Sequence, residues 1–156
     1  MQVASFSVWW YNKTEKKPAD KKEQTMKTYG IRLRRGTDLL EEIEKFCTEK
    51  KIKAGVLLSG VGCVTRARIR DASGVTIVSV DEPMEIVSLM GTVSAKRCHL
   101  HVSFSKEDLS VIGGHLVKGC IINTTCELVI GEMAGYEFDV EFDEETSYDE
   151  LIMREY

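Results

Sequence analysis

The sequence predicts an α+β domain: a mixed, largely antiparallel sheet with one main helix. Three observations predict it. Runs in which apolar and polar residues alternate recur along the chain, the signature of half-buried strands. One stretch has helical spacing and a helix-start signal. Most connections are too short to hold a crossover helix, which favours antiparallel neighbours. The 156 residues suffice for one domain with a real core.

Residues 1–25 read as a lysine-rich extension, with Lys13, Lys16, Lys17, Lys21 and Lys22 beside Glu15, Asp20 and Glu23. Such a segment is solvated and expected to be flexible. Trp9 and Trp10 either dock on the domain or a neighbouring subunit, or have no structural role. The regular pattern starts at Met26, so residues 26–156 form the expected domain.

Tyr29, Ile31 and Leu33 alternate with Gly30, Arg32 and Arg34 as a first strand. A helix follows. Asp38 with Glu41 fits a capping box, and Thr37 is an alternative cap. Leu39, Ile43, Phe46 and Cys47 form its apolar stripe, and Lys50-Lys51 suits the negative end of its dipole. Ala54 to Gly60 is a continuous apolar run, expected as a strand buried on both faces. Ser59-Gly60-Val61-Gly62 is expected to break it before a second strand from Cys63 to Asp71. Strands are also expected over Val75–Val80 and Glu85–Val93.

Cys98 to Ser105 alternates without exception. Cys98, Leu100, Val102 and Phe104 share one face; His99, His101, Ser103 and Ser105 share the other. Lys106 to Ser110 is expected as a helical turn, and Gly113-Gly114 as a tight backbone turn that returns His115 to the histidine strand. Lys118–Glu132 reads as a long strand whose second face has a polar middle, Asn123, Thr125 and Glu127. Tyr136 to Phe142 is the final strand. Thr146 to Tyr156 is expected as a short tail packed through Tyr148 and Leu151.

The chain has three histidines, all within this region: His99, His101 and His115. Alternate residues of a strand lie roughly 6–7 Å apart, close enough for two imidazoles to converge on one metal ion at about 2.0–2.1 Å each. Ordinary surface histidines would leave the same pattern. Three His ligands leave a fourth coordination position open, the arrangement of catalytic rather than structural zinc, where a water would become acidic. Glu127 is the candidate acid/base partner, with an exposed strand carboxylate as the alternative. Arg32 and Arg35 are candidate contacts for an anionic ligand, or else part of a solvated strand edge.

Composition narrows the function classes. Asp and Glu (25) outnumber Lys and Arg (21), and the formal net charge is −4, which argues against bulk attraction to nucleic acid or anionic membranes. The basic stripes Arg32/Arg34 and Arg66/Arg68/Arg70 are the features that favour DNA. Glu137, Asp139 and Glu141 offer those arginines a nearer partner if the strands meet. No apolar run is long enough to span a bilayer, and the first residues do not read as a secretory signal. Five cysteines without regular spacing suit a reducing cytoplasm and read as small core residues.

Four blocks in order carry a family resemblance. They are Arg32-Leu33-Arg34-Arg35-Gly36, Ser59-Gly60-Val61-Gly62, Glu85-Ile86-Val87-Ser88-Leu89-Met90-Gly91, and His99-x-His101 followed by Gly113-Gly114-His115-Leu116. The segment from Glu141 to Leu151 also fits. From about Met26 to Leu151 the chain resembles the PPC domain, the "plants and prokaryotes conserved" domain. The resemblance implies a mixed sheet with few helices, similar to acetolactate decarboxylase, and assembly as a homotrimer. It also implies that His99, His101 and His115 are the metal ligands. Plant members carry AT-hooks and act on DNA; this sequence has no Arg-Gly-Arg-Pro core, so that contact does not carry over. Two positions depart from the family pattern. Val140 stands where bacterial relatives often have Arg, and Ser147 replaces the usual Gly. What the resemblance implies as function is a small-ligand metal protein, with DNA binding as the alternative.

Overall fold

The computed structural model describes residues 25–156; the lysine-rich segment and Trp9-Trp10 lie outside the described residues. The chain runs β1 (Lys27–Arg34), α1 (Leu39–Lys50), β2 (Gly55–Arg70), β3 (Ile77–Val80), β4 (Met84–Val93), β5 (Cys98–Ser105), β6 (Val111–Leu116), β7 (Ile121–Glu132), β8 (Tyr136–Asp143) and β9 (Tyr148–Glu155). Seven strands form one sheet in the order β1-β7-β2-β4-β5-β6, with β3 paired to β2 and β6 returning to pair with β2. That return closes β2, β4, β5 and β6 into a ring. Strands β8 and β9 form a separate hairpin sheet. Every pairing between these strands is antiparallel.

The helix forms as its sequence dictates. The Asp38 side chain caps it by accepting the Glu41 N–H at 3.0 Å, satisfying a donor that would otherwise be orphaned. Lys51 closes it in the left-handed conformation. Leu39, Leu40, Ile43 and Cys47 are its buried residues, and Phe46 is only half-buried, edge-on to Tyr29 at 5.5 Å. The main-chain N–H of Leu39 donates to Cys120 O at 2.9 Å, which ties the helix start to the approach to β7. The core beneath it is made by the inward residues of the sheet, Val64, Leu89, Leu100, Val102, Phe104, Ile122, Cys126, Leu128 and Ile130 among them.

Four elements differ from expectation. The Ser59–Gly62 segment does not break the strand: β2 is continuous over 16 residues and absorbs the irregularity as bulges against β7. Gly62 sits at φ 151°, where a Cβ would lie 2.3 Å from Thr125 O; the glycine serves close strand approach. Nor is β2 buried on both faces, since Leu58 and Val61 are about half exposed. Lys106–Ser110 is the tight turn of the β5–β6 hairpin, closed by Leu109 N–H to Lys106 O at 3.0 Å, with Leu109 at φ 65°. The expected tail is strand β9, paired with β8 from Tyr148↔Asp143 to Glu155↔Tyr136. Ser147, in the turn between them, has φ 61°, a conformation that favours glycine.

All five cysteines are free. Cys47, Cys120 and Cys126 are buried, as expected of core residues; Cys63 and Cys98 are only half-buried. The acidic stripe of β8 does not serve the arginines of β2. Lys96 pairs with Glu137 at 3.1 Å and Asp139 at 3.3 Å, while Arg66 pairs with Asp81.

Candidate metal centre

Strand β5 has the expected two faces. Leu100, Val102 and Phe104 are buried, whereas His99, Ser103 and Ser105 are half-buried and His101 is exposed. The third histidine arrives differently from expectation. Gly113 and Gly114 are not a turn but residues of β6, and His115 is the direct cross-strand partner of His101. Their role is space. A Cβ at Gly113 would lie 2.8 Å from Val102 O, and one at Gly114 would lie 2.4 Å from Arg70 O. Small residues therefore let β6 seat between β5 and the end of β2.

The three rings converge. Their centroids are 5.3 Å apart for His99–His101, 5.0 Å for His99–His115 and 5.6 Å for His101–His115. Each offers one nitrogen, and these nitrogens all lie within 4.8 Å of one another. Burial pushes the His115 imidazole pKa down to about 4, aided by the Arg70 guanidinium. His99 is lowered as well, by burial first and then by Arg97, with Glu150 opposing. Both rings are thus neutral at pH 7, the form that ligates metal. The Nδ1 of His115 is buried without a hydrogen-bond partner among the described residues. A buried, unpartnered imidazole nitrogen within such a cluster fits a metal, and an all-imidazole donor set suits a divalent transition metal.

Beside the histidines lies a cavity of about 580 Å³. His99, His115 and Cys98 form one wall with Arg70, the last residue of β2, and Arg97. The β8–β9 hairpin supplies the other wall through Val140, Tyr148, Asp149 and Glu150. The hairpin is held there by Arg97 Nη1, which donates to Asp149 O at 2.7 Å, by the Lys96 ion pairs, and by Phe138, which is buried and whose main-chain N–H donates to Lys53 O at 3.0 Å.

Not all the sequence candidates meet here. Glu127 is exposed on β7, opposite Arg32 of β1 and Val61 of β2, and does not line the cavity. Arg32 is exposed on β1 and Arg35 is exposed in the turn before α1; neither lines the cavity. Sequence reasoning alone does not reach three residues. Arg70 was hidden within an arginine stripe, and only the β2–β6 pairing, Arg70↔His115, carries it to the site. Asp149 and Glu150 fall within the expected tail, which the structure shows as strand β9. Val140 lines the cavity.

Fold and cluster together define the class: an antiparallel α+β domain with three histidines gathered beside a hairpin-walled cavity. The Plants and Prokaryotes Conserved (PCC, also written PPC) domain model matches residues 20–134, and the chain belongs to that family. Among solved structures, a hypothetical protein from Salmonella cholerae-suis (Salmonella enterica) is 29% identical, covers 86% of this chain and 97% of that one, and has a TM-score of 0.82. A metal-containing protein from Archaeoglobus fulgidus is 32% identical over 83% of this chain and 96% of its own, with a TM-score of 0.67. Two Synechococcus proteins named Bifunctional protein GlmU are 35% identical over 127 residues, 81% of this chain. The chain spans about a fifth of the length of those curated relatives. The matched span ends before β8, so Tyr148, Asp149 and Glu150 come from beyond it.

Proposed function

We propose that this chain binds a divalent metal, zinc, through His99, His101 and His115, and that the cavity beside the metal receives a small ligand. The observation that carries this reading is the convergence of all three histidines of the chain, brought from two strands, with His99 and His115 lining the cavity. The metal-containing Archaeoglobus relative adds support. His99, His101 and His115 would hold the ion, which would supply Lewis acidity there. The protein's own residues do the rest. The β6 glycines and the β2–β6 pairing fix His115, the hairpin screens the cavity, and Glu150 rather than Glu127 stands where a carboxylate can hold or move a ligand proton. Calorimetric titration with zinc at pH 7 tests this; the expected result is one ion per chain, and an absence of saturable binding refutes it.

The same reading includes a homotrimer in a reducing cytoplasm. Five free thiols favour that compartment. For self-association the support is an outward apolar strip: Leu58 and Val61 of β2, Val87 and Met90 of β4 and Val129 of β7 are 38–65% exposed. Met90 is the register partner of His101, so the strip runs up to the histidines. Sedimentation equilibrium is expected to give three times the 17.6 kDa chain mass; a monomer at micromolar concentration contradicts it. Among the described residues, no helix is long and apolar enough to cross a membrane.

DNA binding is the weaker reading, because the longer of the two stripes that favour it is engaged elsewhere, which leaves Arg32 and Arg34 exposed on β1. Arg66 pairs with Asp81, Arg68 Nη1 donates to Lys118 O at 2.8 Å, and Arg70 turns to the cavity. Any DNA retardation should vanish as salt rises through physiological strength.

A further inference from the structure

We propose that the cavity takes the oxyanion group of a small ligand, a carboxylate or a phosphate, and that Arg70 is its anchor. This rests on the cavity being a ligand site, and it names the chemistry that site recognises.

The cavity has three cationic side chains, and two of them are committed. Lys96 is held by Glu137 and Asp139. Arg97 spends Nη1 on the Asp149 carbonyl, pinning the hairpin. Arg70 has neither an ion pair nor a hydrogen-bond partner for Nε among the described residues, although that atom is buried. A guanidinium stays charged at any physiological pH, and a buried N–H without an acceptor is costly. Its planar fork matches the paired oxygens of a carboxylate or phosphate. Arg70 is the cross-strand register partner of His115, and directly opposed residues of an antiparallel pair project from the same face of the sheet. An oxyanion on Arg70 therefore sits on the side of the cavity where the histidines gather.

Size and charge exclude other occupants. About 580 Å³ is the scale of a small-molecule site. The opposite wall presents Asp149 and Glu150, which repel a polyanion such as a nucleic-acid backbone yet leave one anionic group free to meet Arg70.

The test uses the full chain, zinc-loaded and zinc-free, titrated calorimetrically with inorganic phosphate and, separately, with acetate. The zinc-loaded protein is expected to bind at least one probe, and the better probe assigns the oxyanion. Arg70→Gln should keep the zinc stoichiometry and weaken anion binding roughly 10- to 100-fold, the loss of a charge-assisted hydrogen bond; Arg70→Lys should fall between. A second measurement needs no substitution: the Arg70 Nε–H resonance should move saturably as the probe is added. Equal anion affinity in Arg70→Gln, an unmoved resonance, or no binding of either probe overturns the proposal. If the chain takes no zinc, the metal reading fails alone. The titration of zinc-free protein then decides Arg70 by itself, since loss of anion binding in Arg70→Gln still supports the anchor and equal affinity still overturns it.

Discussion

The two faces of β5 are built for different work. On one face Leu100, Val102 and Phe104 are at most 3% exposed and lie within the core. On the other, one residue out of step, His99 and His101 meet His115, and none of the three belongs to the packed core. Strand geometry makes this division possible, because successive side chains point to opposite sides of the sheet. The fold is thus specified by one set of residues and the site by another, and substitutions should separate the two.

The largest effect should come from the packed face. Phe104 is fully buried, and Phe104→Ala should destabilise the protein by about 3–5 kcal/mol, measured by urea unfolding. A smaller loss would mean that the core closes over the cavity left behind. Gly114→Ala tests the joint between the faces. Its Cβ would strike Arg70 O, so the β6–β2 pairing must shift, at a cost of about 1–3 kcal/mol. The same change should weaken metal binding by moving His115.

The histidine face should announce itself through pH. In metal-stripped protein the His115 pKa is depressed to about 4, below the unfolded value of about 6.5. The neutral ring therefore contributes stability that is full above about pH 6.5 and is lost as pH falls through the folded value. Solvent screening at a half-exposed ring keeps this effect modest. Urea midpoints should fall over that window in wild type, and the fall should shrink in His115→Ala. The least effect belongs to Ser103→Ala on the outward face. It should change stability by no more than about 0.5 kcal/mol.

How far the sequence could be read follows the same division. Local signals carried α1 and β5. The cap at Asp38 and the period-two run from Cys98 to Ser105 are each contained in a few residues, and the histidines are few enough to stand out. Pairing carried the rest, and pairing leaves no local mark. Glycine is the clearest case. Ser59–Gly62 and Gly113-Gly114 read as breaks, yet in the fold they serve close approach of strands. Glu127 stands out as polar within an apolar strand, but β7 lies between β1 and β2, and Glu127 does not line the cavity. Arg70 and Glu150 reach the site only because β2 meets β6 and β9 folds back on β8.

The most direct test is the metal content of protein purified without an affinity tag or added zinc, compared among wild type, His99→Ala, His101→Ala and His115→Ala, with urea unfolding of each metal-free form alongside. The account predicts close to one zinc per chain in wild type and loss of tight binding in all three variants. Apart from the pH effect at His115, their unfolding should stay within about 0.5 kcal/mol of wild type. Wild-type protein that is metal-free and stays so after incubation with zinc, or variants that retain the ion, would contradict it, and so would variants that unfold.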